Sequence, residues 1–77
     1  MTEVAYLLIT LKHSTPVAVA EEVRKVGGVV ETHITMGEVD IVAVAHQLGT
    51  KGFPGVSAEI QRINGVGKVM TCVVVRP

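Results

Sequence analysis

Val29-Val30-Glu31-Thr32-His33-Ile34-Thr35-Met36, then Gly37-Glu38, then Val39-Asp40-Ile41-Val42-Ala43-Val44-Ala45: the reading of this stretch decides the fold. Two runs rich in β-branched residues flank a glycine with acids beside it, so two strands join through a reversal as a hairpin. Along the first run Val30, Thr32, Ile34 and Met36 share one face, and Val29, Glu31, His33 and Thr35 the other. The second run is apolar except for Asp40. Thr35 to Asp40 is thus a polar island in a chain made mostly of Val, Ile, Leu and Ala, and it offers a small ligand a polar place to bind.

Outward from the hairpin, each side supplies a strand and a helix. Val4 to Leu11 reads as a strand apolar on both faces. Ser14 or Thr15 suits a helix cap and Pro16 the first helical position. Val19, Val23 and Val26 then recur at helical spacing to Gly27-Gly28, with Glu21 and Lys25 placed to pair on the outer face. Gly49 to Gly55 is a glycine-rich lead-in to a second helix, whose stripe is Phe53, Val56, Ile60 and Ile63. Asn64-Gly65 closes that helix, and Val66 to Arg76 forms the last strand, with Cys72 read as a small buried hydrophobe.

The order strand, helix, strand, strand, helix, strand predicts an α+β, ferredoxin-like βαββαβ sandwich: a four-stranded antiparallel sheet with two helices on one face. Both faces of the central strands are apolar. Val4, Tyr6 and Leu8 alternate with Ala5, Leu7 and Ile9, and Val42 and Val44 with Ile41 and Ala43. A sheet with one face in water alternates apolar with polar residues instead. The open face is therefore expected to pack on the same face of a second subunit, forming a dimeric α+β barrel. Covering about 500 Å² of apolar area per subunit gives a transfer term on the order of 12 kcal/mol before association costs.

Composition agrees with assembly. A chain of 77 residues is one domain, spanning 1–77, and alone buries only roughly 60% of its unfolded surface. Its single cysteine allows no internal disulfide, and no zinc-type spacing is present. Hydrophobic residues are 48% and charged residues 18%, whereas a monomeric surface carries about 25–35% charge. Seven basic residues balance seven acidic ones and form no stripe, and Tyr6 and Phe53 are the only aromatics. Direct nucleic-acid binding has no support in that pattern. Glu3 stands where a leader peptide has basic residues, and no apolar run reaches membrane-helix length. The expectation is a cytoplasmic protein without membrane contact and without a cofactor.

Single residues add little chemistry. His13, His33 and His46 sit on different elements without metal-ligand spacing, and Gly49-Thr50-Lys51-Gly52 lacks the pattern of a phosphate loop. Backbone amides at the start of the second helix remain a place for an anion. Gly37 fits either a positive φ or a close backbone neighbour. Glu38 reads as a solvated turn residue. Asp40 can accept turn amide hydrogens or bind the amino group of a ligand.

Gly28-Val29-Val30-Glu31, then Thr35-Met36-Gly37-Glu38-Val39-Asp40-Ile41, and later Ile63-Asn64-Gly65-Val66 resemble the effector-binding (RAM) domain of the Lrp/AsnC family of transcription regulators, over residues 3 to 76. The resemblance implies dimers that pair through their sheets and join into octameric rings. It also implies small effectors, often amino acids, held between dimers near the glycine-acid turn. On this chain the implied ligand-binding positions are Thr35, Met36, Gly37, Glu38 and Asp40, with Gly49, Thr50 and Lys51 as further candidates before the second helix. Full regulators carry a helix-turn-helix domain ahead of this one. This chain resembles the stand-alone form, which reaches DNA only through a full-length Lrp/AsnC-type partner. Val39 departs from the family, which usually has an aromatic there, and Pro54 and Gly55 interrupt the second helix.

The leading expectation is a non-enzymatic effector-binding and assembly module. A small dimeric α+β-barrel enzyme is the alternative, needing Tyr6, His33, Asp40 or Thr10 in an enclosed polar cavity. A scaffold that partners a full-length regulator without a ligand of its own is a third reading.

Overall fold

The structure is a computed structural model, and it describes residues 3–47 and 52–75. Strand β1 spans Val4–Leu11, helix α1 Pro16–Arg24, β2 Val29–Ile34, β3 Ile41–His46, α2 Gly52–Gln61 and β4 Val66–Val73. All pairings are antiparallel, in the order β2-β3-β1-β4. This is the βαββαβ sandwich expected from the element order. Helix α1 packs chiefly on β2 and α2 on β4.

The core lies between helices and sheet. Ala5, Leu7 and Ile9 of β1 and Ile41, Ala43 and Ala45 of β3 are buried there with Val19, Val23, Phe53, Val56 and Ile60. The valine-rich α1 has weak intrinsic helix preference, so this packing holds it. Pro16 opens α1, and Thr15 occupies the cap position without a side-chain cap bond. On its outer face the acids pair one residue closer than expected: Glu21 with Arg24 at 3.5 Å and Glu22 with Lys25 at 3.2 Å, rather than Glu21 with Lys25. All four side chains are exposed, so these pairs matter little for stability.

One architectural expectation fails: the sheet is open and no α+β barrel closes. Strands β2 and β4 are its two edges and do not pair with each other. Four twisted strands are too few to close, since even small barrels take about eight. What remains of the expectation is the two-sided character of the sheet. Away from the helices, cross-strand partners place Tyr6 beside Val44 and Cys72, and Leu8 beside Val42 and Met70. Glu31 and His33 of β2 flank this face, joined by a 3.0 Å contact. Cys72 is exposed there rather than buried.

Strand ends also differ from the sequence reading. Strand β2 stops at Ile34 and β3 begins at Ile41, so a six-residue loop replaces the tight reversal. A bulge between Val29 and Glu31 shifts the register. By their partners on β3, Val29, Thr32 and Ile34 therefore share the helix side of the sheet, while Val30 falls out of phase; Val30 and Ile34 are both half exposed. Helix α2 takes in Gly52, Pro54 and Gly55. Pro54 is tolerated because it lies in the first turn, where amides have no partner within the helix.

Candidate functional site

The loop 35–40 is built on a fastened base. The Thr35 amide donates to the Asp40 carbonyl at 2.9 Å, and the Thr35 hydroxyl donates to the Val39 carbonyl at 2.9 Å. With its carbonyl turned inward to Thr35, Val39 leaves the strand ladder. Asp40 ties the loop to β1 twice. Its amide donates to the Ile9 carbonyl at 2.9 Å, and its Oδ2 accepts the Leu11 amide at 2.8 Å. Between Thr10 and Leu11 the β1–β4 register shifts, and the carboxylate supplies an acceptor for β1 at that irregularity. The carboxylate thus accepts an amide of β1 rather than the turn amides that the sequence suggested. The other oxygen has no hydrogen bond among the described residues.

The tip is free. Gly37 has φ +148°, and a Cβ there would meet nothing within 4 Å. The glycine serves the backbone angle, not a close neighbour. Met36 is completely exposed, at 101% of its reference area, and Glu38 is exposed too. The Met36 thioether lies wholly in water on a loop with an anchored base. Thr35 and Asp40 are half-buried at the foot.

Gly49, Thr50 and Lys51 lie outside the described residues.

An open cleft of about 560 Å³ lies between α2 and the β4 edge, lined by Phe53, Pro54, Ser57, Ala58, Gln61, Thr71 and Val73. It went unnoticed in the sequence. The signal is the flank of α2 beside its apolar stripe: Pro54, Ser57, Ala58 and Gln61 recur at helical spacing, and small Ser57 and Ala58 leave room against β4. The groups an enzyme would need are scattered. Tyr6, His33 and Thr10 belong to the open sheet face, and Asp40 is engaged with Leu11. Among the described residues no three His, Cys, Asp or Glu side chains form a metal-binding group, and no helix is long and apolar enough to cross a membrane, which says nothing of strands.

Comparisons with known proteins agree with this architecture. TTHA0845 from Thermus thermophilus superposes with a TM-score of 0.86 at 22% identity, covering 97% of this chain and 95% of that one. AsnC of E. coli gives 0.84 at 18% identity, over 97% of this chain and 52% of AsnC. The Neisseria meningitidis transcriptional regulator NMB0573, solved as a complex with L-Met, gives 0.77 at 17% identity, over 96% of this chain and 50% of the regulator. This chain thus spans about half the length of those two regulators. No curated protein matches it in sequence. The family described as Lrp/AsnC ligand binding domain matches residues 4–77. On that match, and with the βαββαβ sandwich carrying its glycine-acid loop between β2 and β3, the chain belongs to the Lrp/AsnC ligand-binding domain family.

Proposed function

We propose that this chain is an effector-binding module whose ligand is an amino acid or a related small molecule, bound at a boundary between subunits by the loop 35–40. The observation that carries the reading is the form of that loop, fastened at Thr35 and Asp40 while Met36 and Gly37 make no use of their exposure within the chain. A lone exposed loop encloses no small ligand, because ligand sites bury most of the ligand surface. A second subunit supplies the missing wall. The L-Met complex of the Neisseria regulator makes amino acids the first ligands to try.

Assembly itself rests on the open sheet face. Val4, Tyr6, Leu8, Val42, Val44 and Met70 form an apolar patch that a second copy covers by stacking sheet on sheet. Such dimers then join into larger particles, and effector binding shifts the balance among assembly states. The role is binding without catalysis. Partnership with a full-length regulator is the route by which such a module acts on transcription.

Calorimetric titration with the twenty amino acids, with particle mass measured in parallel, tests the proposal. At least one amino acid is expected to bind, and Met36→Ala is expected to weaken that binding without changing the unfolding midpoint. Silence across the panel, in heat and in mass alike, would contradict it.

A further inference from the structure

Strand β4 is an edge, and its phase is fixed by one hydrogen bond. The Val74 amide donates to the Val4 carbonyl at 2.8 Å, in line with the pairs Ala5–Val73 through Thr10–Lys68. In an antiparallel ladder, bonded and non-bonded pairs alternate. The amides and carbonyls of Lys68, Met70, Cys72 and Val74 therefore turn toward β1, and those of Val69, Thr71 and Val73 turn out from the edge. Among the described residues no strand covers that edge. Lys68 is the one charged side chain of β4 and belongs to the positions bonded to β1; the other usual safeguards are missing. The strand has no proline, its outward positions carry no charge, and the register shift lies upstream at Val66. The cleft beside it is lined without a charged side chain.

We infer that the β4 edge pairs with the β4 edge of a second copy, antiparallel about a two-fold axis at Thr71, as an interface distinct from the open-face pairing proposed above. The sequence of the strand is self-complementary in that register. Thr71 lies opposite its own copy, and Val69 lies opposite Val73 of the partner subunit. All three positions carry the outward amides, so all three pairs are of the bonded kind. Thr–Thr and Val–Val pairs are favourable across strands. On the other face Met70 meets Cys72 of the partner subunit, and Lys68 meets Val74 of the partner subunit, so no like charges are opposed. The axis makes the contact isologous and closed. It brings the two clefts together, where Val69 and Val73 of each chain fill space between the α2 helices. Val73, Val74 and Val75, now 47%, 44% and 85% exposed, lie on or beside the seam. The cleft's lack of charge matches an uncharged β-branched row of side chains, and Val69, Thr71 and Val73 of β4 form such a row.

Hydrogen exchange on the wild-type chain, with particle mass for two variants, tests this. The Val69, Thr71 and Val73 amides are expected to be protected at assembly concentrations and to lose at least tenfold in protection on dilution. Thr71→Pro removes only an outward amide, a position where edge strands accept proline. It is expected to lower particle mass at least twofold. Leu8→Glu addresses the open face instead. A mass that falls with Leu8→Glu but not with Thr71→Pro overturns the edge pairing and leaves the open-face reading standing. Outward amides that exchange as fast as unpaired ones overturn it whether or not the proline variant folds. Protection that arises only when an uncharged extended peptide is added assigns the edge to a different partner and also overturns it.

Discussion

Asp40 and Gly37 share one loop and do opposite things. The carboxylate of Asp40 joins the start of β3 to β1 through the Leu11 amide at 2.8 Å. A hydrogen bond to a charged acceptor is worth more than a neutral one. Asp40→Ala is therefore expected to cost about 2 kcal/mol, read as a lower midpoint in urea unfolding at unchanged slope. Asp40→Asn keeps an acceptor oxygen and is expected to cost less than half as much. Any larger effect of Asp40→Asn on effector binding than on stability then isolates the second carboxylate oxygen. Gly37→Ala meets no atom, so its cost is the backbone angle alone, about 1–2 kcal/mol. Were the glycine there for a close neighbour, the loss would be larger and would come with rearrangement of that neighbour. Met36, by contrast, has no stabilising contact to lose.

At the scale of elements, the bulge in β2 explains what the sequence shows and what it hides. Strict alternation from Val29 to Met36 puts Val30 inward, yet the extra residue at Val30 returns Val29 to the core side. No residue in that run marks the irregularity, because glycine or proline is not required for a bulge of this kind. Strand β1 was legible end to end, since Pro16 and the polar turn before it fix its limit and its apolar pattern has no break. The start of α1 was equally plain at Pro16. The loop 35–40 was legible as a reversal but not as a six-residue loop, since the Thr35 hydroxyl and the Asp40 carboxylate that widen it act across the loop and onto β1. The cleft beside α2 was hidden for a similar reason: it needs the pairing of β4 to be known. One side chain in this layer is unsatisfied. The Thr32 Oγ1 is buried and has no hydrogen-bond partner among the described residues. Thr32→Val removes a desolvated hydroxyl at nearly constant shape and is expected to stabilise the fold by about 1 kcal/mol, measurable in the same urea titration.

For the whole molecule, the question is what covers the two-sided sheet. A four-stranded open sheet with helices on one side leaves Tyr6, Leu8, Val42, Val44 and Met70 with no layer above them. Leu8→Glu places a carboxylate at the centre of that patch without touching the helix-side core. It is expected to reduce particle mass at least twofold while far-UV circular dichroism stays unchanged. An unaltered mass would show that the open face is not a subunit contact. Assembly and ligand binding are linked, because among the described residues nothing stands over the loop tip as a second wall. A variant that no longer assembles is therefore expected to lose effector binding even with every loop residue intact.

The most direct test of the central claim is amide chemical-shift mapping of the assembled chain against the amino-acid panel. A binding amino acid is expected to shift the amides of Thr35 to Asp40 first and most, together with residues that approach them only across a subunit boundary. Shifts confined to other parts of the sheet or the helices, with 35–40 unmoved for every amino acid tried, would contradict it.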